Sequence, residues 1–464
     1  MSIVSPFFFA LLTVTVLLIV IVPPVARKGV LLASSLVFYL SSDVMSAAVG
    51  LGIVAANFLF LRALLGSADE RLKEQLYFGS IVFNLTLFVG LKLAFEPSAG
   101  IGSAPWSLLG IELAYPLGLS FILLMLHAAL TDAYSERHSP RARPATYLLY
   151  ATFFPYVTSG PVERLDHMES QFEGLRRPTS EDLRAGLALI ALGLVKKTVV
   201  ANRLGPYVDG IFAGELEFSA TTMAVAIALN TVHLYADFSG YTDIARGAAR
   251  CLGIDIRMNF DRPFVSRSAT EFWRRWHISF STWLRDYLYM PLAYTLRRMS
   301  PAAPSIAIFL TFLVAGFWHR ATWSFMLFGL LHGLVLALEM HFGKPIRDDS
   351  PVWRRLLLIT AARSYTMGFI AFSLVLFSAV SIPHAGTIVA RLVSDPLLPW
   401  PRELFGYLGP FMFLLMIGSL GVWQVIERWH ERLSVRATLA FLFVCAVLVL
   451  FLGSTGPGFI YEQF

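Results

Sequence analysis

Charge is scarce in this sequence. Asp, Glu, Lys and Arg make up 15% of its 464 residues, where soluble domains carry about 25%, so much of the folded chain faces a solvent other than water. Cysteine is scarcer still: Cys251 and Cys445 are the only two, each in an apolar setting, which excludes a disulfide scaffold. No polar linker long enough to separate domains is present, and no repeat of fixed period. The chain has no phosphate loop and no G-x-S-x-G elbow. Its histidines do not recur with Cys or acidic partners at ligand spacing, so no metal site is expected. Disorder is excluded by the abundance of Phe, Leu and Val.

What is present is apolar length. The sequence is 56% hydrophobic with a mean hydropathy of +0.65. A spanning helix needs about 20 mostly apolar residues. Candidate segments run over 5–26, 30–64 (two segments, broken around Ser41–Asp43), 75–95, 106–131, 145–159, 184–201, 219–240, 304–318, 322–342, 356–382, 405–427 and 437–453. The expected fold is therefore all-α, a polytopic integral membrane protein of about 11–12 segments. The first segment lacks a basic flank and is too long for a signal peptide, so it is expected to be retained.

The net charge is +6. Its basic residues sit in short loops, a pattern that records orientation and not a nucleic-acid partner. Arg27 and Lys28 after the first helix place the N-terminus outside. Arg137, Arg141 and Arg143 mark one loop, and Lys344, Arg347, Arg354 and Arg355 another. The stretch 246–298 is the richest in Arg and starts from the cytoplasmic side. Within it, Ser268 and Glu271 read as a capping box. The helix they open places Trp273, Trp276, Phe280, Leu284 and Tyr287 on one face, fit to lie in the interface or tuck into the bundle mouth.

Ionisable residues inside apolar segments are costly and mark function by default. His138, His167, His384 and His430 fall in loops or at helix ends, and His341 is interfacial. Asn230, His233 and Asp237 make a polar stripe in which His233 and Asp237 can bond at i, i+4, and Arg246 can neutralise Asp243. His127 and His332 read as satisfied core histidines. Phe153-Phe-Pro155 and Ser159-Gly-Pro-Val-Glu-Arg164 break another helix and then present a charge pair, and broken helices commonly build binding sites. Gly316-Phe-Trp-His-Arg320 ends a segment that begins at Pro304. That segment is roughly 22 Å long against a hydrocarbon core of about 30 Å. His319 should therefore stop inside the membrane and line a cavity, because a free helix end there needs cover.

These residues resemble the membrane-bound O-acyltransferase (MBOAT) superfamily, in its bacterial branch of alginate O-acetyltransferases and teichoic acid D-alanyl transfer proteins. The resemblance rests on Asp237-Phe-Ser-Gly-Tyr-Thr-Asp243, Asn259-Phe-Asp-Arg-Pro-Phe264, Glu271-Phe-Trp-Arg-Arg-Trp-His-Ile-Ser279, Trp283-Leu-Arg-Asp-Tyr-Leu288, Gly316-Phe-Trp-His319 and the tail Phe459-Ile-Tyr461. It covers at least 150–320 and the C-terminus. It implies a single membrane domain over 1–464: N-terminal helices in 1–135, a catalytic core in 145–343 with the amphipathic helix 268–290, and C-terminal helices in 354–464.

The resemblance also implies a ring of tilted helices around a central tunnel, with His319 at the narrow middle and His277 as a second catalytic histidine. Arg164 falls in the family's Gly-Pro-x-x-Arg segment. It joins Trp276, Trp318, Ser281 and Asp237 as an expected substrate-binding residue. The reaction implied is acyl transfer, acetyl or D-alanyl, with imidazole as base. The donor would be a cytoplasmic thioester, acyl-CoA or acyl carrier protein. The acceptor would be a hydroxyl of an envelope polysaccharide or of a secreted SGNH-type partner. No bound cofactor is expected, and the place is a bacterial inner membrane among its lipids. A flippase of an envelope precursor and a non-catalytic scaffold are the competing readings, although no two related halves of the transporter kind are visible.

Overall fold

The computed structural model describes residues 2–95, 106–108, 111–137, 140, 143–213, 219–343, 351–394, 423, 432–456 and 459. The expected segment 405–427, except Trp423, lies outside these residues. So do Arg141, Lys344, Arg347, His138, His430 and the tail positions Ile460 and Tyr461.

The chain is helical almost throughout. It opens with α1 (Pro6–Ile21), α2 (Pro24–Leu40), α3 (Val44–Gly66) and α4 (Glu70–Phe95). The break near 41–43 falls where the composition placed it, because Asp43 caps α3 by accepting from Ser46 N at 2.7 Å. Asn57 and Asn84 exchange two hydrogen bonds between α3 and α4, satisfying polar groups that lipid could not.

The expected single helix over 106–131 is instead a short hairpin, Trp106–Leu108 against Ile111–Leu113, followed by α5 (Leu119–Tyr134). Pro116 and the left-handed Gly118 (φ +64°) hold the chain off a helical path between them. α6 (Pro144–Thr152) is cut short by the buried loop that carries Pro155 and Pro161, and α7 (Leu165–Glu173) follows. α8 (Ser180–Leu194) runs through a π-helical turn (Val195–Ala201) into α9 (Asn202–Phe212). α10 (Ala220–Cys251) is the longest element.

The expected continuous helix over 268–290 is broken into α11 (Ala269–Arg275) and α12 (Ile278–Leu284), with a π-helical turn (Arg285–Tyr289) leading to α13 (Met290–Leu296). The N-cap is as read, Ser268 accepting from Glu271 N, but Glu271 reaches back to Arg267 N, one residue beyond the reciprocal capping bond. α14 (Ala303–His319), α15 (Trp323–Phe342), α16 (Val352–Ser378), α17 (Ile382–Ser394) and α18 (Val435–Leu452) complete the described chain. Among the described residues, five helices (α3, α4, α15, α16 and α18) are long and apolar enough to cross a membrane, and α1, α5 and α14 are shorter apolar helices. The chain is a multi-pass membrane protein.

Small residues let the central helices touch. A Cβ on Gly193 of α8 would meet the Gly240 carbonyl of α10 at 2.5 Å, and one on Gly316 of α14 would meet the Phe325 carbonyl of α15 at 2.2 Å. One end of the bundle is a basic face. There Lys28 and Arg143 hold Glu173, while Arg176 and Arg250 hold Asp182. These pairs tie the starts of α2, α6 and α8, and the end of α10, to a common level.

Candidate active site

α14 is 17 residues long, about 25 Å, and so stops short of a full crossing. Its last residue is His319, after which Arg320 turns extended (φ −154°, ψ 136°). The freed carbonyl of His319 accepts a hydrogen bond from Lys92 Nζ of α4 at 3.0 Å, in a fully buried setting. A cation on the last carbonyl of a helix suits its dipole. Composition showed Lys92 only as part of an apolar run. A lone lysine in such a run was the available signal.

The buried His319 lines a small cavity of about 30 Å³ walled by α10, α11, α15 and α16, with Trp273, Trp276, Phe328, His332 and Phe377 among its lining. His332 is held at both nitrogens. The Trp273 indole donates to Nδ1 at 3.1 Å, and an indole can only donate. The proton of the neutral ring is therefore on Nε2, which lies 3.0 Å from Ser373 Oγ. This is the satisfied core histidine expected from the sequence. His127 is part-buried, its ring against Trp283 and Tyr287 and its Nε2 3.5 Å from Thr131 Oγ1.

His277 sits at the break between α11 and α12, in a left-handed conformation (φ 46°, ψ 51°) that costs a non-glycine residue of order 1–3 kcal/mol. The Asn259–Phe264 motif enforces it. Phe260 bridges Trp276 as in a β-ladder, Ile278 N donates to the Asn259 carbonyl at 3.0 Å, and the Asn259 side chain accepts from Ser279 Oγ at 2.6 Å. The break turns His277 into the core, where its ring packs on Phe238 and Phe280 with centroids 4.7 and 5.0 Å away. Phe280 in turn stacks on Trp318 at 4.4 Å and lies 5.7 Å from the His319 ring. The two histidines thus come from two chain breaks and flank one pair of aromatic rings. The cavity wall includes His319 and Trp276; His277, Phe280 and Trp318 pack outside it.

The other expected substrate-binding residues are placed as follows. Trp276 lies between Phe272 and Phe260. Ser281 Oγ donates to the Trp276 carbonyl at 3.1 Å, which fastens the break. Asp237 pairs with Lys197 Nζ at 2.5 Å. Asp243 finds Lys196 at 2.6 Å in the place where Arg246 was expected. Both lysines come from the π-helical turn, and nothing in local spacing joins them to α10. Arg164 caps α7, with its guanidinium 4.5 Å over the Tyr287 ring. The adjacent Glu163 turns the other way, accepting from Arg257 N at 2.5 Å and facing His167 Nδ1 at 3.0 Å. This hydrogen bond raises the His167 pKa above its ordinary value.

Residues 58–381 match the model of the membrane-bound O-acyltransferase family. Among similar proteins, the "Probable alginate O-acetylase AlgI" of Pseudomonas putida is 30% identical over 94% of this chain and 94% of its own length. Its counterpart in Pseudomonas syringae is 32% identical over 68% of this chain and 62% of its own length. The "Teichoic acid D-alanyltransferase" of Streptococcus thermophilus is 31% identical over 42% of this chain and 49% of its own. The chain belongs to the membrane-bound O-acyltransferase family and is an O-acyltransferase.

Proposed function

We propose that this O-acyltransferase moves a short, uncharged acyl group, acetyl, from a thioester donor on its basic face to a hydroxyl acceptor reached from the other side of the membrane. The observation that carries this reading is the end of α14, which is too short for a full crossing and sets His319 on the wall of a cavity. The hydroxyl oxygen attacks the thioester carbonyl carbon while neutral His319 takes the hydroxyl proton. The tetrahedral intermediate then collapses, the C–S bond breaks, and the imidazolium returns its proton to the leaving thiolate. His277, across Phe280 and Trp318, positions one of the substrates or shares the proton transfer.

Two features support acetyl over D-alanyl. Among the described residues the cavity lining holds no Asp or Glu to meet an ammonium group, and the relative aligned over 94% of both chains is named an alginate O-acetylase. By the positive-inside rule the basic face is cytoplasmic. Acetyl-CoA or an acetylated carrier protein would then be the donor, and an envelope polysaccharide or a secreted SGNH-type partner the acceptor, in a bacterial inner membrane. No bound cofactor enters this chemistry.

The test is reconstitution of the purified chain in vesicles with a labelled acetyl thioester and a polysaccharide acceptor. Labelled O-acetyl ester that depends on the chain is expected. Movement of polysaccharide without acylation would overturn the reading in favour of transport. A chain that only retains a partner, with no ester formed, would overturn it in favour of a scaffold.

A further inference from the structure

Arg164 is a buried cation whose needs are unmet. Its side chain is 5% exposed, and Nη1 and Nη2 have no hydrogen-bond partner among the described residues. The nearest carboxylate oxygen, Asp286 Oδ2, is 3.8 Å away, and the other oxygen of that group is engaged by Arg285 at 2.7 Å. Tyr287, under the guanidinium, gives its hydroxyl proton to Asp132 at 2.6 Å. Asp132 also faces Arg137 at 3.8 Å. The carboxylates nearby are thus matched, and the guanidinium fork is not. A buried charged donor left unsatisfied is costly, and its persistence asks for a reason. A planar fork of N–H groups fits the oxygens of a phosphate.

Arg164 also stands at one end of a line of rings. Tyr287 lies 5.6 Å from Trp283, Phe280 follows one turn back, and the Phe280 ring is 5.7 Å from His319. The helix rises about 10 Å from Phe280 to Tyr287. Arg164 and His319 thus lie at opposite ends of one ring-lined stretch. The exposed Arg137 and Arg285 stand beside it, each paired with an aspartate.

We propose that Arg164 binds the phosphate of the 4′-phosphopantetheine arm and so fixes the distance at which the thioester meets His319; this rests on the thioester-donor reading above. The phosphate is common to coenzyme A and to acyl carrier proteins. The Arg164 contact selects for the arm and not for what it is attached to.

The probes are 4′-phosphopantetheine and pantetheine, which differ by that phosphate alone, titrated into the full chain in detergent. The phosphorylated form is expected to bind the wild type roughly 10- to 100-fold more tightly, the worth of hydrogen bonds to a charged group. In Arg164→Gln that ratio should fall towards one, and Arg164→Lys should keep part of it. Equal affinity of the two probes for the wild type overturns the proposal without any variant. So does inorganic phosphate, or a vesicle of anionic lipid, that needs Arg164 for binding yet fails to compete with 4′-phosphopantetheine. Transfer assays with acetyl-CoA and with acetyl carrier protein separate the two sources. Absence of transfer from every thioester would sink the donor reading, while the binding ratio would still decide the phosphate site.

Discussion

The two faces of α10 bury polar groups in opposite ways. On one face, Asp237 and Asp243 meet Lys197 and Lys196 at 2.5 and 2.6 Å, each pair almost wholly enclosed. Lys197 is further covered by the Phe459 ring at 4.4 Å, and Lys196 by Tyr235 at 5.6 Å. On the other face, Thr231 and Leu234 look into the cavity and Phe238 packs on His277. There the histidines stand among aromatic rings, and a cation, Lys92, bonds the His319 carbonyl. Charges matched one to one hold helices together. On the proposal above, the imidazoles at the two chain breaks serve the chemistry.

The sharpest way to break this contrast is to delete a group on each face. His319→Ala should lower acyl transfer by about 10²–10⁴-fold while the chain still folds and inserts, as judged by its melting temperature and yield in detergent. Asp237→Ala should do the reverse. Stranding the Lys197 ammonium should cost about 3–5 kcal/mol, seen as lost folded yield, and adding Lys197→Met should recover it. If Asp237→Ala folds normally and loses only transfer, the lysine–aspartate face belongs to the chemistry and the contrast fails.

Smaller effects sharpen the same division. His332→Phe removes the acceptor of the Trp273 indole and should cost about 1–3 kcal/mol of stability. Transfer per folded molecule should change little, because His332 is a wired strut that shares the cavity with His319. Lys92→Met should lower kcat about tenfold, near 1.4 kcal/mol, with KM for the donor unchanged, and Lys92→Arg should restore most of it. A rise in KM alone would remove Lys92 from the positioning of His319.

The smallest effect is on the basic face. The bond to Glu163 raises the His167 pKa. Its contribution to stability is therefore fully present below about pH 6.5 and is lost as the pH rises through the folded value. Melting temperatures should fall slightly from mildly acidic to mildly alkaline pH in the wild type, and the slope should flatten in His167→Gln.

Much of this was legible before the fold. Apolar runs of spanning length located most helices, and Asp43 and Ser268 marked real caps. The short segment ending at His319 announced a helix too short for a full crossing. The family resemblance added His277, which spacing alone would have left on a continuous amphipathic face. That helix was misread because period 3.6 is blind to a backbone pairing such as Phe260 with Trp276, which comes from residues far enough away to be invisible locally. The same limit hid Lys92, Lys196 and Lys197. Lys92 stands alone and Lys196 and Lys197 as one pair in apolar runs, and their partners are supplied only when helices distant in sequence pack together. The ion pair of Asp237 was hidden for the same reason, its lysine being 40 residues away.

The central claim is that His319 joins chemistry from two sides of one membrane. The most direct measurement uses sealed vesicles in which the acetyl thioester is present only at the basic face and the polysaccharide acceptor only at the opposite face. The account predicts acetylated polysaccharide on the acceptor side, with intact thioester never crossing and with no product from His319→Ala. Product formed only when both substrates share the same face would contradict it.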